Sequence, residues 1–326
     1  MDTAYLIETV IKIVVILLIF SALAGIGTYF ERKILAFMQR RLGPMNVGPY
    51  GLLQVAADGV KLFTKEDIIP SGVVTPIFKI APVITAATAF MAAAAIPFLP
   101  EFTIFGYTVH PIVSDINIGI LYILGMMGVG LYGPLLGGMA SANKFSLLSS
   151  ARAAAVFISY EVVTGLSILA PIMIVGSLSL IDFNNYQIDN GWIVFMQPVA
   201  FILFWIAAFA ETGRTPFHLI ANDHELIDGF GTEYSGMRWG LFFIGEYANM
   251  FFISFVIPLL FLGGYGDGSF LGAMALLGKV AFFFFFFLWT RAAWPDVRPD
   301  QLMWLCWKIL MPIAVLNILV TAIVMI

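Results

Sequence analysis

Residues 4–30 read AYLIETVIKIVVILLIFSALAGIGTYF, with Glu8 and Lys12 as the only charges. About 20 predominantly apolar residues in a helix cross the roughly 30 Å of a bilayer's hydrocarbon core. Lipid satisfies no free backbone groups, so such a run is a helix or a strand of a closed barrel. Barrel strands are about 10 residues long and alternate in polarity, which this run does not. Asp2 and Glu8 stand at its start and no small-residue cleavage site follows. It therefore reads as a retained span and not as a removed signal.

Working outward, seven more segments have the same character: 77–99, 115–140, 153–176, 192–211, 239–262, 271–292 and 305–325. The expected fold is all-α: a polytopic membrane protein of eight transmembrane helices forming one integral-membrane domain over 1–326. Composition agrees. Of 326 residues, 61% are hydrophobic and 11% charged, and mean hydropathy is +0.97. Soluble domains carry about 25% charged residues. A soluble enzyme, a disordered chain and a secreted disulfide scaffold are excluded. The net charge of −4 leaves no basic excess for nucleic acid. The single cysteine, Cys306, excludes a disulfide framework, a CxxC zinc site and a cluster held by this chain alone; it reads as a helix-packing residue.

Basic residues set orientation. Connections 31–76, 141–152, 212–238 and 293–304, with their flanks, hold Arg32, Lys33, Arg40, Arg41, Lys61, Lys65, Lys79, Lys144, Arg152, Arg214, Arg238, Arg291, Arg298 and Lys308. Connections 100–114, 177–191 and 263–270 hold none, and Lys12 and Lys279 lie within spans. The first set is cytoplasmic, so both termini face outward.

Two cytoplasmic loops are rich in sequence. In 31–76, the turn-rich RRLGPMNVGPYG (40–51) precedes a short amphipathic helix. Leu52, Leu53, Ala56, Val60 and Phe63 share one face, and Gln54, Asp58, Lys61 and Lys65 the other. The pattern fits a surface anchor and a wall of a site near the interface equally well. Loop 212–238, with Glu211 at its edge, holds Asp223, Glu225, Asp228 and Glu233 among Phe217, Leu219, Leu226, Phe230 and Tyr234. That mixture suits either a solvated loop or one folded against the bundle or another subunit. His218 and His224 match no compact metal motif, and no metal site is expected.

Charges inside spans cost a few kcal/mol each and mark functional candidates. Here they are Lys12, Glu161, Glu246 and Lys279, with Glu8, Glu211 and Arg291 near span ends. Thr164 and Gly165 follow Glu161, so its helix face is small and polar and expected to point into the bundle. Such charges either lock helices together or carry protons. Phe282–Phe287 reads as lipid-facing and packing surface. No GxxxxGK[ST] loop, no GxGxxG after a strand, no nucleophile elbow and no paired-His haem pattern occurs. Any redox or energy input must come from partner chains.

Particular stretches go further. ERKILAFMQRRLGPMNVGPYGLLQVAADGVKLFTKED (31–67), SDINIGIL (114–121), SANKFSLLSSARAAAVFISYE (141–161), AETGRTPF (210–217), GTEYSGMRWGLFFIGEY (231–247) and RPDQLMWLCWK (298–308) resemble, collinearly and over essentially the whole chain, the H subunits of the proton-pumping NADH-quinone oxidoreductases, respiratory complex I. One stretch departs: where that family reads PFDLPEAESEL, this chain has PFHLIANDHEL (216–226). His218 and Ala221 replace acids and Ile220 a proline. The family's acidic loop is weakened, and the acidic roles carry over only to Asp223, Glu225 and Glu233.

The resemblance implies a membrane component at the junction with the peripheral arm, in a bacterial inner membrane. It would form the membrane part of a quinone chamber. Electrons would arrive from iron–sulfur clusters in partner subunits, and this chain would bind no cofactor alone. Carboxylates matching the family's coupling chain are Glu161, Glu211, Asp223, Glu225, Glu233 and Glu246. Arg32, Arg40, Arg41, Asp58, Lys61 and Arg291 would line or brace the chamber, with Leu53 at its entry. Expected partners are the peripheral-arm quinone-site subunits, adjacent membrane-arm subunits, quinone and lipid. Two other readings stay open. One is an ion-coupled secondary transporter, which would place its site between internal repeats; none is visible here. The other is an anchor component of a membrane-bound hydrogenase or of a dehydrogenase using another donor.

Overall fold

The computed structural model describes residues 3–104, 107–109, 111–218 and 227–325. Twelve α-helices run through them: α1 (Thr3–Met38), α2 (Gln54–Thr64), α3 (Thr75–Ala92), α4 (Gly119–Ala140), α5 (Lys144–Val175), α6 (Leu180–Asn190), α7 (Ile193–Met196), α8 (Pro198–Glu211), α9 (Gly236–Phe261), α10 (Phe270–Ala293), α11 (Pro299–Leu305) and α12 (Met311–Met325). A π-helical turn, Cys306–Leu310, joins α11 to α12. One short antiparallel hairpin, Phe102–Ile104 with Tyr107–Val109, departs from the all-α expectation.

Among the described residues, seven helices are long and apolar enough to cross a membrane. The expected span over 192–211 is not one of them. Pro198 has no N–H and fixes its φ, and the helix breaks at Gln197 into α7 and the 14-residue α8. At 1.5 Å per residue α8 reaches about 21 Å, short of about 30 Å of hydrocarbon. The other spans fall where expected, but two helices outrun them. α1 continues as helix to Met38, and α5 begins at Lys144, where Asn143 accepts a hydrogen bond from the Phe145 N–H as N-cap.

Small residues let the helices close up. On α4, Gly130, Gly133 and Gly137 fall on one face. A Cβ at Gly130 would come within 2.9 Å of Thr88 Oγ1, and one at Gly133 within 2.9 Å of the Ala81 carbonyl. Gly245 of α9 meets the same α3 ridge, where a Cβ would lie 2.9 Å from Thr85 Cγ2. Elsewhere aromatic rings fill the space: Phe20 lies against Phe98 and Phe252, with centroids 4.6 and 4.8 Å away. The phenylalanine run of α10 divides by helical period. Phe283, Phe284 and Phe287 are buried, Phe284 stacking on Phe251 at 4.1 Å, while Phe282 and Phe285 are exposed.

Candidate functional site

α8 ends in a Schellman turn that sets up the site. Gly213, at φ +60, takes the left-handed position; its N–H reaches the Ala210 carbonyl, and the Arg214 N–H reaches that of Phe209. Glycine has no Cβ penalty there. The chain turns back with Arg214 aimed into the bundle, 1% exposed. The turn is held further by the Phe217 N–H on the Arg214 carbonyl and the Val297 N–H on the Pro216 carbonyl.

A buried cluster of charges forms around Arg214. One guanidinium nitrogen donates to Glu31 Oε2 at 3.1 Å, and another lies 3.3 Å from Glu246 Oε1. The guanidinium also sits over the Tyr247 ring, 4.6 Å from its centroid. Arg291 of α10 donates to the other Glu31 oxygen, and the Tyr247 hydroxyl donates to Glu31 Oε2. Burial alone lowers the Arg214 pKa, but Glu246 and then Glu31 raise it, with a net upward result. Arg214 is therefore a fixed cation. Four elements meet at this cluster: α1, the α8–α9 loop, α9 and α10. A buried carboxylate is tolerable only when charge partners and hydrogen bonds replace its water, and Glu31 has two arginines and a tyrosine.

Two cavities flank Glu246. One, of about 70 Å³, is lined by Glu211, Gly213, His218, Glu246 and Asn249, with Thr85, Gly130 and Pro134. Pro134 cannot donate to the carbonyl four residues back, so the Gly130 carbonyl lacks that intrahelical bond where it borders the cavity. The other, of about 280 Å³, is lined by His218, Asp228, Trp239, Phe243, Glu246 and Arg291. A third cavity, about 220 Å³, lies between α1, α2 and α9. Ser21, Thr28, Val55, Gly59, Leu62 and Phe243 line it, and Tyr247 closes it on the side of the charge cluster. Arg32 donates to Asp58 at 2.6 Å across its wall, and Gln54 donates to the other Asp58 oxygen at 3.0 Å.

The expected residues divide. Arg32, Asp58, Arg291, Glu211 and Glu246 line these cavities. Glu161 is exposed in this chain, with its carboxylate packed on α4, where a Cβ at Gly128 would touch it. On the same face, Thr164 is buried and lines an interior cavity with Met127, Phe204 and Glu211. Glu161 and Glu211 still interact electrostatically, with the buried Tyr160 hydroxyl beside both. Glu233 accepts from Asn143 Nδ2 at 2.7 Å, tying the α8–α9 loop to the start of α5. Asp223 and Glu225 lie outside the described residues. Arg40, Arg41 and Lys61 are exposed and away from the third cavity.

Helix α2 presents a mixed polar and apolar face to the bundle. Gln54, Val55, Asp58, Gly59 and Leu62 are the half-buried positions, whereas Leu52, Leu53, Ala56, Val60 and Phe63 are exposed. Leu53 thus sits outside the cavity, 56% exposed. The Arg32–Asp58 pair orients the helix: Asp58 meets a cation of α1 and Gln54 bonds to Asp58 beside it, while Lys61 and Lys65 stay exposed and Leu52, Leu53, Ala56, Val60 and Phe63 are open to the surroundings.

Reading the residues alone misses Glu31, Arg214, Tyr247 and His218 as site members. The sequence pattern places Glu31 in a loop, but α1 runs eight residues past the expected end and carries it inside. The signal available is the unbroken helix-forming run ERKILAFM. The loop 227–235 is folded, not free. Asp228 accepts from Trp239 Nε1 at 3.0 Å, and Ser146 donates to the Gly229 carbonyl at 3.0 Å. Tyr234 stacks on Phe78 at 4.0 Å and donates to its carbonyl; burial, opposed by Arg238, raises the pKa of its hydroxyl, which stays a neutral donor.

Comparison with known proteins fits this arrangement. A family model described as NADH dehydrogenase matches residues 11–322. The chain is 87% identical to the H subunit of NADH-quinone oxidoreductase from Sulfurimonas denitrificans, covering 100% of both chains. Identity is 68% with the same-named protein of a Nitratiruptor species, over 100% of this chain and 99% of the other, and 63% with that of Wolinella succinogenes, over 99% of each. With apolar helices crossing the bilayer several times and relatives of this kind along its full length, the chain is a multi-pass integral membrane protein that belongs to the family of NADH-quinone oxidoreductase H subunits.

Proposed function

We propose that this chain is the membrane component of a proton-translocating NADH-quinone oxidoreductase that holds the membrane part of the quinone chamber. The observation that carries the reading is the place of Tyr247. Its ring closes the α1–α2–α9 cavity, and its hydroxyl donates to Glu31 in the buried charge cluster. A quinone headgroup entering between α1 and α2 would lie beside Arg32, Asp58 and Tyr247. Reduction of a quinone to quinol takes up two protons and two electrons. Charge appearing on the headgroup would repel Glu31 and attract Arg214 and Arg291. Glu246 shares Arg214 with Glu31, so a change at the headgroup would be felt at Glu246 and, through the smaller cavity, at Glu211.

On this reading Glu246, Glu211 and Glu161, with Glu233 and the loop acids Asp223 and Glu225, are the proton-linked carboxylates. The electrons come from iron–sulfur clusters of peripheral-arm subunits, and adjacent membrane-arm subunits cover the exposed Glu161 side. The broken α7–α8 helix is the eighth crossing, which keeps both termini outside. The whole chain acts as one membrane domain without a redox centre of its own.

Gly59 tests the chamber. It lines the cavity, and a Cβ there meets nothing within 4 Å. Gly59→Phe should fill the space and raise the KM for a short-chain quinone at least about tenfold, the weight of roughly 1.4 kcal/mol, while electron transfer to an artificial acceptor upstream of quinone stays normal. Leu53→Trp, on the exposed face, should change neither. An assembled Gly59→Phe complex with unchanged quinone kinetics would remove the chamber from this cavity.

A further inference from the structure

We propose that His218 is the proton-carrying link between the two cavities that flank Glu246, passing protons between the Glu246–Arg291 side and Glu211. This rests on the carboxylate reading above and adds a residue to it.

His218 is one of three residues, with Phe230 and Glu246, that line both cavities. Its ring is fixed: His218 Nδ1 lies 2.8 Å from the Gly213 carbonyl. A carbonyl only accepts, so Nδ1 carries the hydrogen. That sets the tautomer and leaves Nε2 as the exchanging atom. The segment leading into His218 is tethered twice, by the Schellman turn at Gly213 and by the Val297 N–H on the Pro216 carbonyl.

Among the described residues, titratable and charged groups from several elements line the cavities that His218 borders. They are Glu211 at the end of α8, Glu246 on α9, Asp228 in the loop and Arg291 on α10, all lining the shared cavities. Glu31 on α1 is within electrostatic range, and Arg214 lies on the same loop. The smaller cavity, at about 70 Å³, exceeds the roughly 10–15 Å³ one water needs. Its lining includes Asn249, whose side-chain oxygen is buried with no protein partner. Buried polar atoms are almost always bonded, so this cavity is suited to hold water. The step balances without a further reactant. Nε2 takes a proton from the Glu246 side and the ring becomes imidazolium. Nε2 then gives that proton through water to the Glu211 carboxylate, and Nδ1–H stays on the Gly213 carbonyl throughout.

The test uses the assembled complex in sealed membrane vesicles, with decylubiquinone as acceptor and proton uptake followed by a pH dye. His218→Asn keeps a donor where Nδ1–H stands but cannot carry a proton. It should lower coupled turnover at least about a hundredfold, the weak end of general acid–base effects, with assembly intact. His218→Asp regains a side chain that can carry a proton. It should restore most of the coupled turnover that His218→Asn loses. A normal rate in His218→Asn overturns the proposal. So do equal losses in both variants, which would make His218 a brace. Glu211→Gln and Glu246→Gln, run alongside, separate the two failures. Normal coupling in both removes the carboxylate reading and His218 with it, whereas loss in both beside a normal His218→Asn removes His218 alone.

Discussion

Replacing Arg214 with methionine keeps much of the length of the side chain and removes its charge. Arg214 is 1% exposed and pairs with Glu31, 6% exposed, and Glu246, 33% exposed. Glu31 would keep Arg291 and Tyr247, but Glu246 would lose the one cation it pairs with among the described residues. Breaking a buried ion pair from one side costs about 3–5 kcal/mol. Because Glu31 retains partners and Glu246 is part-exposed, the lower end applies, about 3 kcal/mol, or roughly 150-fold in an equilibrium constant. The companion Glu31→Gln removes the buried anion and leaves Arg291, 31% exposed, free to turn to solvent. The double variant then holds neither Arg214's charge nor the carboxylate that needed it. Its loss of stability should fall short of the sum of the single losses by about 1–2 kcal/mol, within the range for residues sharing one network. Thermal inactivation of the detergent-solubilised complex, with assembled yield from membranes as a second readout, gives the four corners of the cycle. Additive losses would refute the idea that the two charges act as a unit. Arg214→Lys should recover only part of the loss, since an ammonium neither spans two carboxylates as a fork nor stacks on Tyr247 in the same way.

Two further expectations follow from packing and topology. Gly133→Ala pushes a methyl group into Thr85 and to 2.9 Å from the Ala81 carbonyl, and overpacking of this kind costs about 1–3 kcal/mol; a matching fall in thermal stability is expected, with Gly125→Ala, which meets nothing within 4 Å, as the neutral control. In a Cys306→Ala background, Asn222→Cys should label only from the cytoplasmic side and Tyr186→Cys only from outside; the reverse pattern for either sinks the assignment of loops to sides.

The membrane class, the positions of most spans and the family were legible in the chain because they rest on one-dimensional properties. Long apolar runs need no partner to be recognised, and the basic residues cluster in alternate connections. Glu246 and Glu211 were visible as charges where charges are costly. Glu161 was equally visible, but its burial was not: Thr164 on its face is buried, whereas Glu161 itself is exposed beside Gly128. The α2 wheel left open whether the helix anchors at the surface or walls a site, and the half-buried positions, Gln54, Val55, Asp58, Gly59 and Leu62, follow neither of its two faces. An apolar face is attracted equally by protein and by lipid, so in a membrane protein amphipathicity alone does not choose the side. The Arg32–Asp58 pair, 26 positions apart in the chain, chooses it.

By itself the sequence determined that this chain lives in a bilayer as a helical bundle, which loops hold the positive charge, and which family it resembles. These follow from the cost of exposing backbone and charge to hydrocarbon, a cost set residue by residue. The tertiary structure alone decided that Glu31, Arg214, Glu246, Tyr247 and Arg291 form one buried cluster, because those residues come from four separate elements and no spacing in the chain encodes their meeting. It also decided where the apolar segment 192–211 breaks, since a proline interrupts a helix only when the surrounding packing accepts the break. Electrostatic partnership falls off steeply with distance and rises with burial, and both quantities exist only once the helices have packed.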